Sequence, residues 1–296
     1  LEPDGARELM RTNYVKYAVA DLNKDGKREL TVLRANQDGE GVADCYVSKN
    51  GVLTLRSSVL VSMTMAELSQ QGKVTVGTLR SGEPALLVTG VADSAMAITD
   101  VLLLRNSELS NSVLSLTTGV SRESSRFRSL YPMDINGDGI TEIPRTVPLP
   151  PGEQETDVSQ RVDWISYDAA GTASRVLSTY HAMEDGWYLQ LPEGWAESIL
   201  VGRSASTDET SVTFYMESDA EDDQGYAALL RITALSGSNR ERLAVRTGRF
   251  ILGRNDGVIY VGELLKGNEE WDHSVTEDEV RNAFSLIAKE WSAGDN

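Results

Sequence analysis

Residues 133–143 read MDINGDGITEI and residues 19–32 read VADLNKDGKRELTV; both contain the series D-x-N-x-D-G-x-x-E. Alternate Asp, Asn and Asp side chains in a tight loop converge on one point, and the glycine lets the backbone curl around it. With a backbone carbonyl and the closing Glu, these oxygens form a ligand set that suits Ca²⁺. The predicted ligands are Asp21, Asn23, Asp25, the carbonyl of Lys27 and Glu29 in the first loop, and Asp134, Asn136, Asp138, the carbonyl of Ile140 and Glu142 in the second.

The position of the closing glutamate excludes an EF-hand. An EF-hand loop needs a Glu at its twelfth position, where these loops have Val32 and Arg145. The flanking segments alternate like strands rather than helices, which excludes dockerin-type pairs as well. Two alternatives remain: a calcium loop that joins two β-strands, or an ordinary turn with Asx hydrogen bonds and no ion.

The two loops belong to an internal repeat with a degraded middle copy, VGTLRSGEPALLV (76–88), which keeps the apolar frame but has lost the carboxylates. The anchors Asp21, Thr78 and Asp134 lie 57 and 56 residues apart. A period of this size fits one four-stranded, blade-like sheet per repeat. The repeat therefore has a structural role in every copy, and metal binding is predicted only for the two copies that keep the carboxylates.

Short alternating runs dominate the chain before residue 180 and predict antiparallel strands. In YVKYAVADL (14–22), Tyr17 and Val19 share one face of a half-buried strand. The segment SMTMAELSQQG (62–72) instead predicts a short helix, because Thr64 and Glu67 form a capping box and Gly72 a stop. The proline-rich segment 147–160 predicts an exposed loop.

The paired segments DLNKDGKREL and DINGDGITEI between apolar strands resemble the FG-GAP/VCBS-type repeats of integrin-like β-propellers. The resemblance covers roughly residues 12–180 and implies calcium at the strand turns. The sequence lacks the Phe-Gly and Gly-Ala-Pro signature of that family, and its middle copy is stripped. Three repeats are too few to close a propeller, so we expect a partial propeller or a blade-like stack over residues 1–180.

Residues 181–296 predict an α+β domain, an antiparallel sheet with a terminal helix. Thr276 and Glu279 form a capping box, and Val280, Phe284, Ile287 and Trp291 are predicted to line one helical face. The segments GWYLQLPEGW (186–195) and NAFSLI (282–287) resemble the PsbP/Mog1-like fold. They are also similar to C-terminal modules of uncharacterised Firmicutes surface lipoproteins. The acidic run 218–225 predicts a solvated hairpin loop.

The composition limits which partners the protein can bind and in which compartment it is expected. The 28 basic and 45 acidic residues give a net charge of −17, which argues against nucleic acid and against anionic lipid. No segment approaches the roughly 18 apolar residues of a membrane span. Because the chain begins at Leu1 without methionine, we expect a removed leader and an extracellular or envelope-anchored protein. Cys45 is predicted to be a buried thiol.

The sequence lacks the common motifs of zinc peptidases, serine hydrolases and nucleotide-binding enzymes. His181 and His273 lack zincin spacing, and no G-x-S-x-G or Walker loop occurs. For both histidines we expect a surface or hydrogen-bonded role. Trp187 and Trp195 fit either the core or an exposed platform for sugars, the core being the stronger prediction.

The expected function is a non-enzymatic, calcium-stabilised surface module of the bacterial envelope that binds a glycan or protein. The alternative is an extracellular hydrolase, or an accessory subunit of one, acting on polysaccharide. Its mark would be two carboxylates within about 5–10 Å of each other, beside an exposed Trp.

Overall fold

The computed structural model describes residues 8–92, 96–115, 121, 130–149, 159–218 and 225–287. These residues form mainly antiparallel strands in four small sheets, with a few short helices. The prediction of a mainly β, antiparallel protein is confirmed. Among the described residues, none of the helices has the length and apolar character of a membrane-spanning helix.

Two four-stranded sheets come first, and in each the strands pair in chain order. The strands of sheet 1 are β1 (Lys16–Ala20), β2 (Glu29–Ala35), β3 (Gly41–Lys49) and β4 (Val52–Leu60). Those of sheet 2 are β5 (Lys73–Thr78), β6 (Pro84–Ala92), β7 (Met96–Arg105) and β8 (Glu108–Asn111). The sheets are simple meanders, which short local hairpins can form.

Helix α1 (Met65–Gln71) lies between these sheets and has the predicted capping box. The Thr64 hydroxyl accepts from the amide of Glu67, and the Glu67 carboxylate accepts from the amide of Thr64 at 2.6 Å. The helix ends at Gly72, whose amide donates to the Leu68 carbonyl. The sequence prediction for residues 62–72 is confirmed.

The remaining strands form two five-stranded sheets. Sheet 3 has the order β18-β12-β11-β10-β9 and sheet 4 the order β13-β14-β15-β17-β16. Their bounds are β9 (Ile143–Pro148), β10 (Gln160–Tyr167), β11 (Ala173–Ala182), β12 (Trp187–Gln190), β13 (Ile199–Ala205), β14 (Glu209–Glu217), β15 (Tyr226–Leu235), β16 (Arg249–Asn255), β17 (Val258–Leu264) and β18 (Phe284–Leu286). Three short helices accompany them: α2 (Arg240–Ala244), α3 (Lys266–Glu270) and α4 (Glu277–Ala283).

The described residues fall into two compact units. Unit 1 takes those of Leu1–Arg145 and Trp164–Val176, and unit 2 takes those of Thr146–Asp163 and Leu177–Lys289. The division runs through the strands of sheet 3, because β9, β10 and β11 contribute residues to both units. The predicted boundary between residues 180 and 181 stays a prediction.

Unit 1 has two apolar layers. In the first, sheet 1 packs against sheet 2 through buried aliphatic side chains and Cys45. In the second, the opposite face of sheet 2, with Leu87 and Leu103, packs against Ile143, Ile165 and Tyr167. Unit 2 has an aromatic core instead, centred on Trp187, Trp195 and Phe214 among others.

The predicted terminal helix is shorter than expected. Thr276 and Glu279 form the capping box, but α4 ends at Ala283 and Phe284 begins strand β18. Phe284 pairs with Leu189 of β12, and its ring lies 5.8 Å from that of Trp187. Pairing on the edge of β12 and burial among aromatic rings outweigh the weak helix preference of Phe. The prediction that Phe284 and Ile287 lie on a helical face is wrong, and Trp291 lies outside the described residues.

Two predicted loops fall mostly outside the described residues. The proline-rich segment 147–160 contributes its first residues to β9, and residues 150–158 lie outside. Of the acidic run 218–225, residues 219–224 lie outside as well. Both predictions of exposed loops stay predictions.

Candidate calcium loops

Both predicted loops join antiparallel segments. The first runs from the end of β1 to the start of β2, where Ala20 pairs with Glu29. The second is closed by an isolated antiparallel bridge between Met133 and Glu142, whose backbone hydrogen bonds measure 3.0 and 2.9 Å. The stripped middle copy is the turn between β5 and β6, so it occupies the same place in its own sheet. The prediction that strands flank the loops is confirmed for the first loop; the second is followed by β9, and only the isolated bridge at Met133 precedes it among the described residues.

In the second loop, the Asp134 carboxylate accepts hydrogen bonds from three backbone amides, and these bonds hold the loop in its curled conformation. The donors are Gly137, Asp138 and Gly139, at 2.7, 3.1 and 2.8 Å. Gly137 and Gly139 have φ angles of 78° and 84°, a region that glycine enters without steric cost. The oxygens Asn136 Oδ1 and Asp138 Oδ1 each accept one further loop amide, from Asp138 and Ile140 respectively.

Glu142 closes this loop with a buried carboxylate. The residue is 0% exposed, and its Oε2 accepts from the amide of Ile135 at 3.2 Å. Its Oε1 is buried and has no hydrogen-bond partner among the described residues. A buried acceptor without a partner is unfavourable by about 1–3 kcal/mol, and more if it is charged. A cation in the loop would supply the missing interaction.

The electrostatics of Glu142 follow from its burial. Desolvation, together with the nearby Asp138 and Asp134, raises its pKa to about 7, although the hydrogen bond from the Ile135 amide acts in the opposite direction. Burial disfavours the charged form, and like charges do the same. A divalent cation would reverse both effects, because metal ligands must be deprotonated. The donor set therefore fits a hard divalent cation.

The first loop repeats this hydrogen-bond pattern. Asp21 accepts from the amides of Asp25 and Gly26 at 3.2 and 2.9 Å, and Asp25 accepts from that of Lys27 at 2.8 Å. Glu29 is buried, and its Oε2 accepts from the Leu22 amide at 2.9 Å. Burial raises the pKa of Glu29, with Asp25 and Asp21 adding to the rise.

The two loops differ in the second oxygen of the closing glutamate. Glu29 Oε1 accepts from Asn23 Nδ2 at 3.3 Å, whereas Glu142 Oε1 lacks such a partner among the described residues. Lys24 is directed away from the loop, since its Nζ donates to the Gly82 carbonyl at 2.8 Å. The second loop is thus the one that has more to gain from a cation.

The structure does not draw three carboxylates together at either loop. Within the described ranges, no group of three or more His, Cys, Asp or Glu side chains is arranged to hold a metal ion. The loop carboxylates alternate with Asn and instead bind backbone amides.

A second repeated feature escaped the sequence analysis: a buried Asp in an apolar strand of each repeat. Asp44, Asp100 and Asp163 lie 56 and 63 residues apart, in β3, β7 and β10. Asp44 accepts from Arg34 Nε and Ser58 Oγ, both at 2.6 Å. The signal that would have revealed them is a recurring Asp inside otherwise apolar runs (ADCYVS, ITDVLLL and VDWISY).

The other two buried aspartates are satisfied in the same way. Asp163 accepts from Arg161 Nε at 2.9 Å and from Ser178 Oγ at 2.7 Å. Asp100 accepts from the amide and hydroxyl of Ser62 at 2.7 and 2.5 Å and from Asn111 Nδ2 at 2.8 Å, and the Ser121 hydroxyl also donates to it. These carboxylates are structural, because donors surround them in the interior.

His181 is hydrogen-bonded and His273 is exposed, as predicted for the two histidines, and Cys45 is buried, as also predicted. His181 Nε2 lies 2.8 Å from Thr179 Oγ1 in the interior, and burial lowers its pKa to about 3. The His273 carbonyl accepts from Trp195 Nε1, and its ring lies 5.3 Å from that of Trp271. Cys45 is buried in β3, and burial raises its pKa to about 11, so the thiolate needed for a nucleophile is disfavoured.

Trp187 and Trp195 belong to the core of unit 2. They are 1% and 0% exposed, so the core prediction is confirmed and the exposed platform is wrong. Trp195 packs against Phe214 and Trp271, with ring centroids 5.9 and 5.7 Å apart. Stacking on sugars requires an open aromatic face, which neither indole offers.

A cleft of about 490 Å³ lies beside the first loop. It is lined by Leu22, Asn23, Lys24, Glu83, Pro84, Leu103, Leu104, Arg105 and Asn106. Its carboxylate, Glu83, is paired with Arg105 at 2.7 Å. The cleft thus has a single carboxylate, neutralised by a guanidinium, rather than two that could share acid–base work.

We predict that without calcium the stability depends on the protonation of Glu142. Its pKa of about 7 in the folded protein lies above the ordinary glutamate value of 4.5, which applies to the unfolded chain. The folded state therefore binds more protons between these values, so the free energy of unfolding decreases as pH rises from about 4.5 to 7, by about 1–3 kcal/mol. Urea denaturation with chelator at several pH values measures this, and Glu142→Gln should flatten the slope. Parallel pH profiles for both proteins would contradict the prediction.

Comparison with known proteins adds little to this description. The sequence matches no protein-family model and no curated protein. Among solved structures, the complex of MucA and MucB from Pseudomonas aeruginosa aligns at 11% identity, over 91% of this chain and 92% of that chain. The TM-score is 0.13, too low for the alignment to describe a shared fold.

Proposed function

We propose that this chain is a calcium-stabilised, non-enzymatic binding module of a bacterial cell surface. Its residues 1–180 would form a partial propeller of blade-like repeats and residues 181–296 an α+β domain. The proposal rests on one observation above all: Glu142, which closes a loop of Asp and Asn side chains, has a buried Oε1 for which the described part of the chain provides no hydrogen-bond partner. The Asx-turn alternative explains the curl but leaves this buried oxygen without a partner.

The ligand chemistry favours calcium over magnesium. The residues that would hold it are Asp134, Asn136, Asp138, the Ile140 carbonyl and Glu142, with the equivalent set in the first loop. Calcium accepts about six to eight oxygens in flexible arrangements, whereas magnesium keeps several waters in strict octahedral geometry. When bound, the ion would supply positive charge that stabilises the hairpin. Because these five protein groups would take up most of the coordination positions of the ion, the proposed role is structural rather than catalytic.

The surface location follows from the affinity expected of such loops. Extracellular calcium modules bind with dissociation constants of about 10⁻⁴–10⁻³ M, so they fill only where calcium is abundant. Each loop has only three carboxylates, and Lys24, Lys27 and Arg28 reduce the negative field of the first. The net charge of −17 keeps the chain soluble and disfavours nucleic acid and anionic membranes as partners. We propose a glycan or a protein as the ligand.

The alternative, an extracellular hydrolase or accessory subunit acting on polysaccharide, remains a second proposal without a specific observation in its favour. The cleft beside the first loop has a single carboxylate, Glu83, in an ion pair. Trp164, Trp187 and Trp195 are buried, so among the described tryptophans these three offer no stacking face. Release of reducing sugar from surface polysaccharides, with Glu83→Gln as the matched variant, tests this alternative.

Calcium should raise the thermal stability of the protein after its metal has been removed with chelator. A ligand that binds only the folded state adds about 2.7 kcal/mol at a concentration one hundred times its dissociation constant. With dissociation constants of about 10⁻⁴–10⁻³ M, we expect about 10 mM calcium to add about 1.4–2.7 kcal/mol per occupied loop, and magnesium to add much less. Differential scanning calorimetry with and without calcium measures it. Asp138→Ala should remove the contribution of the second loop and leave that of the first.

Asp168→Ala provides the matched control. Asp168 also forms an Asx turn, accepting the amides of Ala170 and Thr172 at 2.9 and 2.8 Å, but it lacks the D-x-N-x-D series. Its variant should lose some stability and keep the full calcium response. If the melting temperature of the wild-type protein is the same in chelator and in calcium, the loops are ordinary turns and the proposal fails.

A further inference from the structure

The second loop carries a chemically reactive dipeptide, Asn136-Gly137, at an exposed position. An asparagine side chain can be attacked by the backbone nitrogen of the next residue, and a glycine leaves that nitrogen accessible because it has no Cβ. The sequence contains one other Asn-Gly pair, Asn50-Gly51, in the turn between β3 and β4. The surroundings of the two pairs differ in the structure.

An Asx turn folds the Asn136 side chain toward the attacking nitrogen. Asn136 Oδ1 accepts from the amide of Asp138 at 3.1 Å, which curls the side chain over the peptide that links Asn136 to Gly137. The reacting groups are therefore brought together before any bond forms. Such positioning is the main source of speed in an intramolecular reaction.

A carboxylate activates the attacking nitrogen. The N–H of Gly137 donates to Asp134 Oδ1 at 2.7 Å, the shortest of the three amide contacts of this carboxylate. A hydrogen bond to an anion is strong and shifts electron density onto the donor nitrogen. The carboxylate also lies within reach of the proton that the nitrogen must lose.

The attacked carbonyl and the leaving nitrogen have partners as well. The Asp138 amide, through its bond to Asn136 Oδ1, stabilises the negative charge that this oxygen gains when Cγ becomes tetrahedral. Asn136 Nδ2 donates to Asp138 Oδ2 at 2.9 Å, which orients the nitrogen that leaves. The nucleophile, the carbonyl and the leaving group are thus each held by a contact within one loop.

The first loop has the same Asx turn but a different nucleophile. Asn23 Oδ1 accepts from the amide of Asp25 at 2.8 Å. The Asp21 carboxylate accepts from the amides of Asp25 and Gly26, and the residue that follows Asn23 is Lys24. The side chain of Lys24 shields its own nitrogen from attack. The first loop therefore serves as an internal reference for the second.

The other Asn-Gly pair is held in a different conformation. Asn50 and Gly51 have φ angles of 53° and 72° and connect Lys49 to Val52, which pair across the hairpin. This is the geometry of a two-residue primed turn, whose backbone is fixed by the strands on either side. Both residues are exposed, like the pair in the second loop, so exposure does not distinguish the two pairs.

We propose that Asn136 is a site of spontaneous deamidation and that the folded second loop promotes the reaction. Gly137 N bonds to Asn136 Cγ and loses its proton, the Cγ–Nδ2 bond breaks, and ammonia leaves with a proton added, which gives a cyclic succinimide. Water then opens either carbonyl of the ring. Residue 136 becomes aspartate or, with the chain continuing through the side chain, isoaspartate. The reaction consumes water, releases ammonia and involves no oxidation or reduction.

The consequence for calcium rests on the proposed function. Aspartate at position 136 would add a carboxylate to those of Asp134, Asp138 and Glu142. Isoaspartate would insert one more backbone atom into the curl and move these oxygens apart. Because ligand charge and the rigidity of the site set the affinity for calcium, the two products would bind it with different strength.

Peptide mapping by mass spectrometry, after incubation of the full chain in chelator at neutral pH, tests the proposal. Water enriched in the heavy oxygen isotope labels each newly deamidated peptide and excludes earlier modification. In the folded protein we expect Asn136 to react at least about tenfold faster than Asn50 and Asn23. In urea the two Asn-Gly pairs should react at similar rates, because only the glycine then matters.

Two variants test the contacts of the loop. Asp134→Asn keeps an acceptor but removes the charge, and it should slow the reaction at Asn136 about tenfold. Lys24→Gly gives the first loop a glycine without the carboxylate contact, at a position whose φ of 60° suits glycine. Asn23 in this variant should still react more slowly than Asn136. Circular dichroism verifies that both variants fold.

Three results would overturn the proposal. They are equal rates at Asn136 and Asn50 in the folded wild-type protein, an Asp134→Asn protein that reacts as fast as the wild type, and a Lys24→Gly protein in which Asn23 matches Asn136. The rates are measured in chelator and do not depend on a bound ion. A reactive Asn136 without a calcium response of the melting temperature contradicts only the calcium site, and the reverse result contradicts only the deamidation.

Discussion

Replacing Asp100 with alanine is expected to destabilise the protein by about 3–5 kcal/mol, the largest effect we predict for a single polar residue. Asp100 is 0% exposed and accepts hydrogen bonds from the amide and hydroxyl of Ser62, from Asn111 Nδ2 and from Ser121. Its removal leaves several buried donors without an acceptor, each unfavourable by about 1–3 kcal/mol. Urea denaturation should show a lower midpoint with an unchanged slope.

Asp100→Asn separates the charge of this residue from its shape. An amide of the same size keeps one acceptor oxygen but directs NH₂ hydrogens at donors that already surround the site, so we expect a loss of similar sign and somewhat smaller size. Asp38→Ala is the control, because Asp38 is exposed in the turn after β2, and it should change stability by less than about 0.5 kcal/mol. A loss below about 1 kcal/mol for Asp100→Ala would show that water replaces the carboxylate.

Trp195→Ala is expected to destabilise the protein by a similar amount, about 3–5 kcal/mol. The indole is 0% exposed, it packs against Phe214 and Trp271, and its Nε1 donates to the His273 carbonyl at 2.9 Å. The substitution leaves a large cavity and removes the hydrogen bond to the His273 carbonyl. Chemical denaturation followed by circular dichroism measures the change.

Trp195→Phe keeps most of the ring and loses the hydrogen bond, so it should cost about half as much. Val245→Ala, at a site that is 74% exposed, should be nearly neutral. The sugar-platform hypothesis predicts the opposite pattern, a stable Trp195→Ala protein with weakened glycan binding. Such a result would contradict the buried position of Trp195.

Local features of this protein followed from short patterns. The two capping boxes at Thr64 and Thr276 were predictable because they depend on residues three positions apart. The strand-flanked loops were predictable for the same reason, since the alternation of Asp and Asn with glycine sets a turn within about ten residues. Whether calcium fills the loops stays a prediction, which chelation and Asp138→Ala test directly.

Other features needed contacts between distant parts of the chain. The sequence around Phe284 predicts a continued helix. In the structure Phe284 instead pairs with the edge of β12 and packs among aromatic rings, which favours a strand. Aspartates are usually exposed, so residue type alone predicts a surface position for Asp44, Asp100 and Asp163. The structure shows that all three are buried and accept hydrogen bonds from neighbouring strands and loops. These effects are invisible to local pattern because the partners lie about 10–40 residues away.

The sequence by itself determined the mainly β class, the repeat and the position of its loops, because alternation, capping and glycine-rich turns act over a few residues. Only the tertiary structure decided which face of each strand is covered. Tyr17 and Val19 read like a buried face, but burial depends on whether another sheet lies opposite, and alternation specifies two faces without choosing between them. Tertiary structure likewise left Glu142 Oε1 buried without a hydrogen-bond partner among the described residues, the observation on which the proposed calcium site depends.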